Sequence, residues 1–154
     1  MLEILKARHW TEKQFSLDPA RTYDQKKGGY HFKPDGLWVE FEGDWKRWCD
    51  GESFATEQVI AYDIELATTG LLILSDVAAI DRVTAMYRDP ERYGLDWTRM
   101  AQDYKGICIT PYQWHRRMSE HARWYYSWDC ASGCIWDLSA IVTIVNAEAP
   151  CLNF

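Results

Sequence analysis

The chain has no run of apolar residues approaching the eighteen or so that a membrane span needs. Its first residues, Met-Leu-Glu-Ile-Leu-Lys-Ala-Arg-His, carry neither a long apolar core nor a small-residue cleavage site, so no signal peptide is expected and the cytoplasm is the expected compartment. Positive charge is scarce: 17 Lys and Arg face 23 Asp and Glu, a formal charge of −6, so long-range attraction to nucleic-acid phosphates is not what this composition serves. The five cysteines, at positions 49, 108, 130, 134 and 151, are odd in number and follow no disulfide-framework spacing, which makes reduced thiols the simpler expectation. There is no phosphate-binding loop with Gly-Lys-Thr/Ser, no glycine-rich dinucleotide fingerprint after a strand, and no His-Glu-x-x-His. These absences remove the commonest nucleotide and metalloprotease readings. No internal repeat, low-complexity tract or linker divides the 154 residues, a length that suits one domain.

What is abundant is aromatic. Nine Trp and nine Tyr exceed what a core of this size needs, and the surplus is expected to line a surface or pocket, because rings with a polar handle suit half-buried sites. The remaining composition, 47% hydrophobic and 26% charged, is that of a folded domain rather than a disordered chain.

Hydrophobic periodicity divides the chain into short elements. Residues 2–10 read as an opening strand, residues 11–34 as a long loop with a Gly28-Gly29 pair and one turn near Asp18-Pro19-Ala20, and residues 36–41 as a second strand. After Gly43, Asp44 is expected to cap a helix that sets Trp45, Trp48 and Cys49 on one face. Residues 59–66 and 70–74 read as a hairpin. Ser75 or Asp76 then caps an amphipathic helix with Val77, Ile80, Val83, Ala85 and Tyr87 to one side, ended by Pro90 and Gly94. A short helix over 96–104, with Trp97, Met100 and Ala101 inward, precedes a strand over 106–110, and Pro111 is expected to begin a helix to about Trp124. Strands over 133–136 and 141–145, joined by Asp137 to Ala140, complete a compact α+β unit.

Trp38, Trp45 and Trp48 fall within eleven residues, just after a Lys33-Pro34-Asp35-Gly36 turn. A strand ending near Glu40, a break at Gly43 and a helix one turn later can set Trp38 and Trp48 on opposite walls of a cleft, as a clamp for a flat ligand worth about 1 kcal/mol per stack. The plainer alternative is that all three indoles are core.

Gly36-Leu37-Trp38-Val39, with Trp48-Cys49 following ten residues after Trp38, resembles the strand-and-helix signature of ADP-ribosyltransferases of the poly-ADP-ribose polymerase and diphtheria-toxin type. In that family a Gly-(Ile/Leu)-Tyr-Phe strand supplies one aromatic wall of the nicotinamide pocket, and a ring in an Asn-Tyr-Cys context supplies the other. Trp38 and Trp48 would stand for those two tyrosines. The family's His-x-Thr or His-x-Ser is matched by His9-Trp10-Thr11, which implies that His9 hydrogen-bonds a ribose hydroxyl of NAD while the main chain at Trp10 and Thr11 holds the nicotinamide carboxamide. A neutral imidazole suits that role, since it donates at one nitrogen and accepts at the other. The third hallmark is a glutamate opening a late strand. Aligning Ile135-Trp136-Asp137 with the family's Val-Tyr-Asp puts Ser132 at that position, and Asp129 is the nearest acid able to reach the same cleft if the chain bends at Gly133.

The resemblance implies an NAD-dependent ADP-ribosyltransferase: a single domain of split antiparallel sheets with flanking helices, moving ADP-ribose from NAD to a protein or a nucleic-acid acceptor. Asp129 or Ser132 would act at the reacting ribose, and Arg8 and Lys33 would meet the pyrophosphate. A carboxylate matters there because breaking the bond between nicotinamide and ribose builds positive charge on the sugar, which a fixed anion stabilises more in the transition state than in the ground state. The small single domain also resembles transferases that phages and bacteria use in host conflict, which implies an effector acting in a bacterial host cell on a defence or transcription protein.

Other expectations stand beside this one. An acidic, aromatic-rich surface suits a non-enzymatic binding protein that blocks a protein partner, with Trp124, Tyr125 and Tyr126 at its contact face. The run from Trp114-His115-Arg116-Arg117 to Arg123 is the candidate basic patch, with a solvated helix face as its plain reading. Cys130 and Cys134 with His115 and His121 offer four zinc-type ligands, but at no standard spacing, so no metal is expected and buried, inert thiols are.

Overall fold

The computed structural model describes residues 1–27, 31–91 and 94–147; the Gly28-Gly29 pair and Cys151 lie outside them. The elements are β1 (Ile4–Thr11), β2 (Leu37–Glu40), α1 (Asp44–Gly51), β3 (Ile60–Ala67), β4 (Leu71–Leu74), α2 (Val77–Tyr87), α3 (Trp97–Asp103), β5 (Gly106–Ile109), β6 (Ser132–Ile135) and β7 (Ile141–Asn146). The strands form one seven-stranded sheet in the order β4-β5-β6-β2-β1-β3-β7, so the α+β class expected from the sequence holds. Two separate antiparallel sheets do not form. The two halves belong to one sheet, and β4 and β5 run parallel.

The hairpin expected of residues 59–74 is also absent, and its absence shapes the molecule. Only residues 68–70 separate β3 from β4, yet the two strands stand five places apart in the sheet. Laid flat, five inter-strand steps would part them by about 24 Å. Four Cα-to-Cα steps reach at most about 15 Å. The sheet must curl until its β4 edge returns toward β3, and the tight link is made by Leu71 N–H donating to Thr68 C=O (3.0 Å), with Gly70 in the left-handed region at φ +83°. β3 instead pairs with β1 and β7, burying Ala61, Tyr62, Ile64 and Leu66, whereas the unbroken Leu-Leu-Ile-Leu of β4 suits a parallel partner.

β5 and β6 run through the centre of the core, every residue of both being buried. On α2, Asp76 caps the helix by accepting from Ala79 N–H (2.7 Å). Ile80, Val83 and Tyr87 face inward, but Ala85 is exposed and Thr84 takes the inward position. A hydroxyl is tolerated there because it donates to Ile80 C=O (2.7 Å) and accepts from Trp124 Nε1 (2.9 Å).

No helix runs from Pro111 to Trp124. Short 3-10 turns occupy Trp114–Arg116 and Arg123–Ser127, and side chains hold the rest of the segment. Tyr125 OH accepts from Gln113 N–H (2.8 Å), Tyr112 OH donates to Trp128 C=O, and Arg116 grips both oxygens of Asp81 (2.8 and 2.7 Å). Burial of Tyr112, Trp124, Tyr125 and Trp128 outweighs local helix preference. Trp124 and Tyr125 are therefore core rather than contact face, and burial pushes the Tyr112 phenol up to about 12. No helix among the described residues is long and apolar enough to cross a membrane.

The closeness of β5 to β6 depends on glycine. A Cβ on Gly106 would lie 2.8 Å from Cys134 O and 3.1 Å from Ile135 Cα, both backbone atoms. Gly106→Ala is expected to cost about 1–3 kcal/mol, read as a lower urea midpoint at an unchanged m-value. Gly51→Ala, with nothing within 4 Å of the added atom, is expected to leave the midpoint unchanged or raise it.

Candidate functional site

β1 and β2 meet at one ladder position, Arg8 opposite Glu40. Antiparallel geometry would continue with His9 opposite Val39 and Trp10 opposite Trp38, but neither pair forms, and the Trp38 carbonyl is taken by the His9 side chain at 2.7 Å. A carbonyl oxygen only accepts, so His9 Nδ1 carries the hydrogen and Nε2 is left as an acceptor. Burial lowers the imidazole's affinity for protons and the bond to Trp38 only partly opposes this, so His9 is neutral at pH 7.

Glu40 sits at the centre of the junction. It faces Arg8 across β1 and Ser132 across β6, and it is only 4% exposed. Its Oε1 accepts from Trp10 Nε1 (2.8 Å) and its Oε2 from Lys46 N–H (3.2 Å) in the first turn of α1. That second bond replaces the cap expected of Asp44. The N-cap position is Gly43, in the left-handed region at φ +72° and without a side chain to offer. Asp44 is committed elsewhere, accepting from Ala131 N–H (2.7 Å) and Arg47 Nη2 (3.0 Å). A carboxylate against a helix N-terminus is electrostatically favourable, which explains how β2 can bury a charge here.

A cleft of about 890 Å³ opens where β1 and β2 part. Arg8, His9, Trp10, Lys33, Gly36, Trp38, Asp129 and Ser132 all line it, brought from β1, the loop into β2, β2 itself, and the approach to and start of β6. Two expected residues do not. Thr11 turns away to donate to Lys13 C=O (3.0 Å), and Trp48 stacks on Trp45 at 5.3 Å between centroids and 11° between planes. Trp45 is the α1 indole on the cleft, together with Phe54, because the first turn of the helix lies nearest the end of β2. Nor does Trp48 face Trp38: the ring against Trp38 is Trp128, at 4.9 Å. All three indoles of the 38–48 stretch are half-buried, which suits neither the plain core nor the expected clamp.

The two expected acid positions are engaged. Asp129 is ion-paired with Arg117 at 2.9 Å, and Ser132 Oγ donates to Cys130 C=O (3.0 Å). Glu40, Trp45 and Arg21 are among the lining residues that the sequence reading missed. For Glu40 the signal was present: an acid two residues beyond Trp38 on an alternating strand must share its face. For Arg21, whose guanidinium lies 4.3 Å from the Tyr23 ring, no sequence signal existed, since its loop is placed by long-range bonds such as Tyr23 N–H to Trp136 C=O (2.7 Å) and Leu138 N–H to Arg21 C=O (3.1 Å).

Cys49, Cys108, Cys130 and Cys134 are buried free thiols, and burial raises the pKa of each, so none is a poised nucleophile. Among the described residues no cluster of His, Cys, Asp and Glu converges as a metal site; His115 and His121 are exposed while Cys130 and Cys134 are buried. Compared with protein-family models, curated proteins and solved structures, the chain matches none.

The direction of the His9 shift fixes a pH dependence. Above 6.5 the imidazole is neutral in both folded and unfolded chains; as the pH falls below 6.5 the unfolded chain takes up a proton that the folded site resists. The His9 contribution to stability is therefore full above 6.5 and declines with acid. An NMR titration of the His9 ring is expected to give a midpoint below 6.5.

Proposed function

We propose that the chain is an NAD-dependent ADP-ribosyltransferase whose substrate lies in the cleft between β1 and β2. The observation that carries this reading is the convergence of His9, Trp38 and the buried carboxylate of Glu40 on one cleft of about 890 Å³, within the range of small-molecule sites and large enough for a dinucleotide. Trp38 offers a ring face to nicotinamide, and His9 Nε2 offers an acceptor to a ribose hydroxyl. Lys33 Nζ, 5.2 Å from the Trp38 centroid, and Arg21 supply cations for the pyrophosphate; Arg8 is already held by Asp63 at 2.8 Å.

In the reaction the bond between C1 of the ribose and the nicotinamide nitrogen breaks, its electron pair leaves with the now neutral nicotinamide, and an acceptor nucleophile attacks the same carbon. Positive charge grows on the ribose as the bond lengthens. Glu40 is the anion best suited to oppose it, because Asp129 is neutralised by Arg117 and Ser132 carries no charge. On this reading the acceptor belongs to a protein, since the chain is acidic overall, and the exposed rings of Trp114 and Tyr126 suit a protein surface. The same rings favour the second reading, a binding protein that blocks its target without chemistry; that reading requires target binding to survive His9→Ala and to be lost in Trp114→Ala.

NAD should quench the tryptophan fluorescence of the wild type, and Trp38→Ala should abolish most of the quenching. Nicotinamide release should fall about 10²–10³-fold in Glu40→Gln while NAD still binds, with a melting curve to confirm the fold. No quenching at millimolar NAD, or full turnover in Glu40→Gln, would sink the reading.

A further inference from the structure

Arg117 stands between the cleft and an exposed aromatic surface. Its Nη2 donates to Asp129 Oδ1 at 2.9 Å, and its guanidinium carbon lies 5.9 Å from the Trp114 ring centroid and 5.5 Å from that of Tyr126. Trp114 is 63% and Tyr126 56% exposed, and the neighbouring Met118 is exposed too. A solitary exposed ring needs no explanation, but two rings flanking a guanidinium reproduce the residue types that dominate binding hot spots. The charge of this stretch is also opposite to that of the whole: residues 114–123 hold Arg116, Arg117, Arg123, His115 and His121 against Glu120, in a chain of net −6.

The two central arginines differ in how firmly they are held. Arg116 is engaged by Asp81 through two bonds of 2.8 and 2.7 Å, the fork geometry that arginine and carboxylate share. Arg117 makes a single bond to Asp129, also interacts with the Tyr112 hydroxyl, and carries the two exposed rings beside its guanidinium. A second carboxylate approaching over Trp114 and Tyr126 would meet a planar guanidinium able to receive it in the two-bond mode. A nucleic acid fits less well, because a phosphate backbone needs a track of several available cations and Arg116 is already occupied.

We infer that Trp114, Arg117 and Tyr126 form a docking surface for an acidic segment of a partner protein, whose carboxylate draws Arg117 away from Asp129 and leaves Asp129 as a bare anion on the cleft. Apolar side chains of the segment cover the two rings while its acid engages the guanidinium. Docking and chemistry are thereby coupled through one side chain that touches both surfaces. The docking surface does not depend on the NAD reading; only the consequence for turnover does, so the test is made without NAD.

The probe is a short synthetic peptide of glutamates interspersed with leucines, titrated at low salt against the full chain and followed by tryptophan fluorescence and calorimetry. Its glutamine counterpart and a single-stranded DNA oligonucleotide serve as comparisons. Binding is expected to fall at least about tenfold in Trp114→Ala and in Arg117→Gln, and to fall in Tyr126→Ala. It should strengthen several-fold in Asp129→Asn, because the competing carboxylate is gone. The Asp129→Asn result separates this proposal from simple surface adhesion; Tyr126 is exposed, and because Trp114 packs edge-on against buried Tyr112 (4.7 Å) a melting curve accompanies Trp114→Ala. Equal binding by all variants, equal binding of the glutamine peptide, preference for DNA, or no gain in Asp129→Asn would each overturn it.

Discussion

Residues 68–70 join strands that stand at nearly opposite ends of the sheet, and that short link constrains everything else. A flat sheet cannot satisfy it, so the sheet curls, bringing its parallel β4-β5 edge back toward β3. Pairing within the curled sheet is thinnest between β1 and β2, which share one ladder position. Beyond that position the strands part, and the gap between them is the cleft. Its walls combine strand residues of β1, β2 and β6 with loop and helix residues such as Arg21, Lys33, Trp45, Phe54 and Asp129.

A parted ladder leaves backbone groups to satisfy, and the chain does so with side chains. His9 takes the Trp38 carbonyl, Trp10 reaches the Glu40 carboxylate, and Glu40 in turn caps α1, whose own cap position is a glycine. Each of these residues closes the junction on one side and presents chemistry to the cleft on the other. The same dual use explains why an acid can sit 4% exposed without an arginine or lysine side chain bonded to it: an indole N–H and a helix N-terminus stand in for a counter-ion.

The aromatic surplus divides by the same logic. Trp124, Tyr125 and Trp128 form part of the core and hold an irregular segment that no helix supports; Trp38 and Trp45 are half-buried on the cleft; Trp114 and Tyr126 remain outside around Arg117. Arg117 connects the last group to the cleft through Asp129. On the proposed reading, partner surface and reaction site would communicate through that one guanidinium.

Alternation and turn chemistry were enough to locate β1, β2, a cap at Ser75 or Asp76, α3 and the central strands, because side-chain period and capping are local properties of the chain. The α+β class was legible for the same reason; the grouping of His9, Trp38, Arg8, Lys33 and Ser132 came instead from the motif resemblance, and all five line one cleft. What only the tertiary structure decided is pairing and partnership: β3 and β4 are adjacent in sequence yet do not pair, Trp45 rather than Trp48 reaches the cleft, and Asp129 is neutralised while Glu40 is not. Strand order, and the choice of partner for each buried charge, depend on contacts between residues tens of positions apart. A local pattern holds no information about which distant group will arrive first at a carboxylate, and that is where sequence reasoning stopped.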